Sequence, residues 1–206
     1  TVHTVSNDPN QPAEWDNLQM ACDSASVGDT IYIQGTATDY CTGITGGVLH
    51  LKKKLHLIGV GIKPEGNYLY GYPSYVSSIA LDTVTYISGS SGSIIEGLKL
   101  SGLTTFNGCE NIVFRRNRVM SSLAMNYSSN LLIVNNILHG GSSFYLSTNV
   151  LFMNNISLSS ISSSGNSCII SNNLFVLNGG AVFSGCQSST ITNNIFYYSN
   201  VTGATY

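Results

Sequence analysis

The chain has 206 residues, 43% of them hydrophobic and only 9% charged, with a formal net charge of −2. Near-neutrality excludes the basic footprint of a nucleic-acid binder, and no apolar run approaches the ~20 residues of a membrane span. The charge is also unevenly spread. Glu110 is the last acid and Arg118 the last base, so the segment 119–206 carries no Asp, Glu, Lys or Arg. Ordinary soluble domains carry about 25% charged residues.

In chain order, residues 12–26 read as a short amphipathic helix. Trp15, Leu18, Cys22 and Ala25 fall at helical spacing, Pro12, Glu14 and Asp16 suit its first turn, and Gly28 follows its end. Residues 29–33 (Asp-Thr-Ile-Tyr-Ile) read as a strand. Lys52, Lys53 and Lys54, between His50 and His56, read as an exposed turn. Residues 55–59 and 79–81 read as parts of two early coils. Between them, residues 66–75 form a loop bearing Tyr68, Tyr70, Tyr72 and Tyr75, flanked by Lys63, Glu65 and Asp82.

The second half repeats. Arg116-Asn117, Asn135-Asn136, Asn154-Asn155, Asn172-Asn173 and Asn193-Asn194 recur at steps of 19, 19, 18 and 21 residues. Such a period, with short apolar runs on either side of a polar pair, is the signature of a solenoid with one coil per repeat. Asn tolerates the left-handed backbone of a sharp bend. Stacked Asn117, Asn136, Asn155, Asn173 and Asn194 can also hydrogen-bond along the axis as a ladder. Counting from the second Asn, positions −5 (Ile112, Leu131, Val150, Cys168, Ser189) and −3 (Phe114, Ile133, Phe152, Ile170, Ile191) read as inward. So do +1 (Arg118, Ile137, Ile156, Leu174, Ile195) and +3 (Met120, His139, Leu158, Val176, Tyr197). Positions −4 (Val113, Leu132, Leu151, Ile169, Thr190) and −2 (Arg115, Val134, Met153, Ser171, Thr192) read as an outward stripe too apolar for a solvated face. Gly97, 20 residues before Asn117, fits an earlier coil.

The run Leu18 to Ile33, then residues 55–61 (Leu-His-Leu-Ile-Gly-Val-Gly), then the Asn-Asn-apolar repeats, resembles secreted right-handed parallel β-helix proteins of the pectate-lyase-like superfamily. The resemblance implies an all-β, single-stranded right-handed parallel β-helix of about 19–20 residues per coil, with an Asn ladder and an N-terminal capping α-helix. One domain is expected over 1–206, with the cap helix and first strands in 1–50 and stacked coils in 51–206. Seven or eight coils give a rod roughly 35 Å long. The resemblance carries over no catalytic residue. It points to a secreted or cell-surface location, with Thr1 as a conceivable start of a processed form.

Five cysteines are present. Cys22 and Cys41 either join the cap to the first coil as a disulfide or remain thiols; Cys168 reads as core. Cys109 and Cys186 share a column but lie four coils, or roughly 19 Å, apart, beyond the ~7 Å reach of a bridge. Asn126, Asn155 and Asn200 open glycosylation sequons, of which Asn155 is committed to the ladder.

Chemistry on acidic polysaccharides needs a base and often carboxylates that hold calcium; glycoside hydrolysis needs paired carboxylates. The cluster rich enough is Glu96, Lys99, Glu110, Arg115, Arg116 and Arg118, whose simplest reading is a salt-bridged band, without acids recurring as a calcium site requires. Neither a metal nor another cofactor is indicated, calcium entering only if the protein is a lyase. The Tyr68–Tyr75 loop could stack on sugar rings. His3, His50, His56 and His139 are scattered, and a flat Thr array of the ice-binding kind is limited to Thr190 and Thr192. The favoured expectation is a structural or adhesive protein that self-associates laterally or end to end, supported by charge-free coils and a last coil with no evident cap. A carbohydrate-binding module using the Tyr loop and a polysaccharide lyase or glycoside hydrolase are the alternatives. The partner is thus the chain itself or a polysaccharide, with no nucleic acid and no membrane insertion.

Overall fold

The computed structural model describes residues 1–42, 44–61, 72–76, 79–82, 89–164, 167–177, 183–184 and 188–198. They form a parallel β-solenoid with three sheets, and from His56–Ile58 onward the strands enter sheets 1, 2 and 3 in turn. Sheet 1 holds nine strands: Val2–Val5, Thr30–Ile33, His56–Ile58, Ile94–Glu96, Val113–Arg115, Ser129–Val134, Thr148–Met153, Ile169–Ser171 and Thr190–Thr192. Sheet 2 holds Ser74–Val76, Leu98–Leu100, Arg118–Val119, Ile137–Leu138, Ile156–Ser157, Leu174–Leu177 and Ile195–Tyr198. Sheet 3 holds Leu49–Leu51, Ile79–Asp82, Thr104–Asn107, Leu123–Asn126, Ser142–Tyr145, Ile161–Ser163 and Phe183–Ser184.

Between sheets 1 and 2 the chain turns through a two-residue corner. Its first residue is left-handed (Arg116, Asn135, Asn154, Asn172, Asn193; φ 54 to 57°), and its second is the ladder Asn. The bend is therefore made by the first Asn of each pair, and the second turns its side chain inward, where Asn117, Asn136, Asn155 and Asn173 are all but fully buried. Each ladder Oδ1 accepts the backbone N–H one coil earlier, from Leu98 to Asn117 through Asn173 to Asn194 at 2.8–3.0 Å. Each Nδ2 donates to a strand carbonyl, from Ile95 O to Ile170 O. Gly97 is the left-handed corner of the earlier coil, φ 74°, and Leu98 holds the ladder position there. A Cβ on Gly97 would stand 2.7 Å from the Gly59 carbonyl, so the coils at this corner approach too closely for a side chain.

Because the ladder Asn points inward, alternation resumes from it. Positions −5 and −3 are buried as expected from Ile112 to Ile170, whereas in the last of these coils Ser189 is half-buried and Ile191 exposed. After the corner, however, the buried residues are Val119, Leu138, Ser157 and Phe175, at +2. The +1 and +3 columns, expected inside, face outward. Arg118 is half-buried on the surface, while Ile156 and Ile195 are exposed.

Left-handed residues also mark two further corners: Asn111, Asn130, Asn149, Ser167 and Ser188 at the entry to sheet 1, and Gly108, Tyr127 and Leu146 after sheet 3. Between these two corners runs a second, hydroxyl ladder. Ser128 Oγ accepts Cys109 N–H and Ser147 Oγ accepts Ser128 N–H, both at 3.1 Å. The interior is aromatic and aliphatic, with Phe106 against Phe114, Phe144 against Phe152, and Phe175 stacked on Phe196 at 5.4 Å.

The cap helix spans Leu18–Ser24, shorter than its apolar spacing suggested. Asn17 caps it by accepting Met20 N–H at 3.0 Å. Upstream, Trp15 is paired with strand Val2–Val5 through Trp15 N–H to Thr4 O and Ser6 N–H to Trp15 O, so that segment is extended. Gln19 covers the edge of sheet 3, its side-chain amide pairing with both the N–H and the C=O of His50. Lys53, expected in an exposed turn, donates to Asp23 O and Ala25 O at the helix C-terminus. Cys22 is a buried thiol whose pKa burial pushes far up, and no disulfide joins it to Cys41. The helix packs on the strand Leu49–Leu51, whereas Tyr40, beside Cys41, donates its N–H to Tyr75 O in sheet 2. Cys168 is in the core. Cys186 lies outside the described residues.

Candidate functional site

The expected basic–acidic cluster is divided among different surfaces. Glu96 and Arg115 are register partners on the outer face of sheet 1, and Arg115 Nε donates to Glu96 Oε2. His56 Nε2 lies 3.0 Å from Glu96 Oε1, so Glu96 bridges the coils on either side. Burial pushes the Glu96 carboxyl up, but Arg115 and His56 outweigh it and hold the carboxyl below its ordinary value. The sequence reading left His56 among the scattered histidines; the register that places Ile58 beside Glu96 brings it to the carboxyl.

Lys99 lies around the corner on sheet 2, its Nζ 5.4 Å from the centroid of the Tyr75 ring. Tyr75 itself is not on a loop. It belongs to strand Ser74–Val76 and donates its hydroxyl to Ser101 Oγ at 2.9 Å. Tyr72 is exposed, and Tyr68 and Tyr70 lie outside the described residues. Arg116 is the exposed corner residue. Arg118 Nε stands 3.3 Å from His139 Nε2. Glu110 sits exposed at the corner before sheet 1, where its N–H donates to Ser91 Oγ. Glu96 and Arg115 thus meet, while Lys99, Arg116 and Glu110 do not join them. Among the described residues, no three His, Cys, Asp or Glu side chains converge as a metal site requires. No described helix is long and apolar enough to cross a membrane.

The larger surface feature is apolar and adjoins the Asn corner on both sides. On sheet 1, Ile94, Val113, Leu132, Leu151 and Ile169 stack in register facing outward, alongside Val134 and Met153. On sheet 2, the outer column reads Tyr75, Lys99, Arg118, Ile137, Ile156, Leu174, Ile195. Beside it stand Leu158, Val176 and Tyr197. Relative exposure reaches 40% at Ile156, 67% at Ile195 and 64% at Tyr197. The shift of phase at the corner moves these side chains from the core to the surface, so the uncovered apolar area is larger than the sequence columns indicated. No family model, curated protein or solved structure matches the chain.

Proposed function

We propose that this chain is an extracellular structural or adhesive β-helix that associates with further copies of itself through the uncharged outer faces of sheets 1 and 2. The observation that carries this reading is the outward-facing column Ile137, Ile156, Leu174 and Ile195, half-buried at Ile137 and Leu174 and exposed at Ile156 and Ile195, set in a segment without a single charged residue. Isolated exposed aliphatics are ordinary, but a contiguous stripe across successive coils favours contact with another surface. Parallel sheets are ordinarily covered on both faces, and here sheets 1 and 2 present apolar side chains both inward and outward. The cap helix, the Gly28-Asp29-Thr30-Ile31 strand entry and the Asn ladder support kinship with secreted β-helix proteins of the pectate-lyase-like kind.

Sedimentation velocity over a wide concentration range tests the proposal. The wild-type chain should associate as concentration rises, and Ile156→Lys with Ile195→Lys should remain monomeric with unchanged circular dichroism. A wild-type chain that stays monomeric up to its solubility limit would remove the proposal. The enzymatic alternative is less well supported, since both carboxylate oxygens of Glu96 are engaged, Oε1 by His56 and Oε2 by Arg115.

A further inference from the structure

We infer that the outer face of sheet 3 around Tyr127 and Tyr145 is a binding site for a neutral glycan. The inference goes beyond self-association and uses the sheet that the proposed assembly leaves open. Tyr127 and Tyr145 stand on successive coils, their ring centroids 5.4 Å apart and their planes at 90°. Both are exposed, at 59% and 48%, and neither belongs to the hydrophobic core. Tyr127 also holds a left-handed backbone, φ 51°, that an Asn or Gly would adopt at lower cost.

Beside Tyr145 a groove of about 320 Å³ is lined by Ser143, Ser162, Ser163, Ser164 and Ser184. Ser143, Ser162 and Ser184 are register partners, so the groove floor runs along the solenoid axis and carries no side chain larger than a hydroxymethyl. Ser164 is fixed at its margin by accepting the N–H of Leu146. The volume is at the lower end of the range for small-ligand sites and suits one or two sugar rings.

The chemistry of the two components is complementary to a sugar. An aromatic face accepts the C–H side of a pyranose, and a phenol tip and serine hydroxyls exchange hydrogen bonds with its hydroxyls. Tyr145 offers its ring as the wall of the groove, and Tyr127, one coil earlier, packs against it from the other side and holds that ring in place. The coils that build the site, from Val119 onward, contain no cation to pair with a carboxylate or sulfate and no anion to pair with an amine. The ligand class is therefore neutral, unlike the uronates that a basic cleft would take. The groove direction suits a polymer laid along successive coils.

Affinity gel electrophoresis with neutral polymers (xylan, galactomannan and mixed-linkage glucan), and with polygalacturonate as the charged control, tests the site. At least one neutral polymer should retard the chain and polygalacturonate should not. Tyr145→Ala should weaken retardation by about tenfold, and Tyr145→Phe should keep most of it because the stacking face remains. Ser162→Leu fills the groove while leaving both tyrosines in place and should cause a similar loss, which decides the matter if Tyr145→Ala is poorly folded. Absence of retardation by every neutral polymer, retardation by polygalacturonate alone, or retardation indifferent to a folded Tyr145→Ala would overturn the site. The monomeric Ile156→Lys, Ile195→Lys variant should bind as the wild type does, so failure of assembly and failure of binding are read separately.

Discussion

Asn155 Oδ1 accepts two hydrogen bonds from Asn136 one coil earlier, from the backbone N–H at 2.9 Å and from Nδ2 at 3.0 Å. Asn155 Nδ2 in turn donates to Ile133 O and to Asn173 Oδ1. Its removal leaves a buried N–H and a buried carbonyl without partners on coils where water has no access. Asn155→Ala should therefore cost about 3 kcal/mol, summed over groups that each cost roughly 1–3 when orphaned. Asn194 accepts from Asn173 and donates to Ile170 O in the same way, but it is half-buried and water can replace part of what it supplies. Asn194→Ala should cost only about 1 kcal/mol. Denaturant titrations that give equal losses at the two positions would contradict a continuous buried ladder.

The two residues of each corner do different work, and substitution separates them. Arg116 holds φ 56°, where the four later corners carry Asn and the earlier one Gly97. A side chain without a local hydrogen bond pays roughly 1 kcal/mol there, so Arg116→Asn or Arg116→Gly should raise stability by about 0.5–1 kcal/mol. Asn135→Ala should lose a similar amount and Asn135→Gly little or nothing. Asn136→Gly, one residue on, should be as damaging as Asn136→Ala because its loss is of hydrogen bonds. Chemical denaturation of these variants distinguishes the roles, because glycine is tolerated at position 135 and damaging at position 136.

That division explains how far the sequence could be read. The period, the parallel coils and the identities of the ladder residues were legible because Asn117, Asn136, Asn155, Asn173 and Asn194 recur at nearly fixed spacing. The phase after the corner was not. An Asn taken for the bend leaves Arg118 and Ile137 inside; an Asn buried in the core puts Val119 and Leu138 inside. Both columns are apolar in most coils, so hydropathy alone could not decide between them. Arg118 was the informative exception, since an inward Arg would need a buried partner. The union of Glu96 with His56 depends on pairing across an irregular early coil, which no local repeat predicts. Tyr127 and Tyr145 are eighteen positions apart and fall in different columns, −9 from Asn136 and −10 from Asn155, so the repeat alone does not bring them together.

Cys109 stands in the hydroxyl ladder, where the next two coils place Ser128 and Ser147. Its Sγ donates to Asn107 O at 3.5 Å, as Ser128 Oγ donates to Asn126 O at 2.9 Å. Cys109→Ser should accordingly be neutral to within about 1 kcal/mol, although the side chain is wholly buried. Ser128→Ala leaves Cys109 N–H without its acceptor in the interior and should cost about 1–3 kcal/mol. A Cys109→Ser loss as large as that of Ser128→Ala would show that the thiol is held for packing and not as a ladder member.

The N-terminal strand carries a pH-dependent contact. His3 lies between Glu14, at 2.9 Å from Nδ1, and Asp29, at 3.2 Å from Nε2. Hydrogen bonding to Glu14 and then to Asp29 raises the His3 pKa above 6.5, with burial opposing them. A raised folded-state pKa means that the contribution to stability is fully present below the unfolded value and is lost as pH rises through the folded one. The cap should thus be held more firmly at about pH 5.5 than at about pH 8.5, the window spanning the ordinary histidine value near 6.5. Thermal melts at the two pH values should show a lower midpoint at the higher pH. His3→Gln keeps a hydrogen-bonding side chain without the titration and should flatten that difference. A wild-type midpoint that rises across the same interval would give the wrong sign for a protonated His3 clamped between two carboxylates.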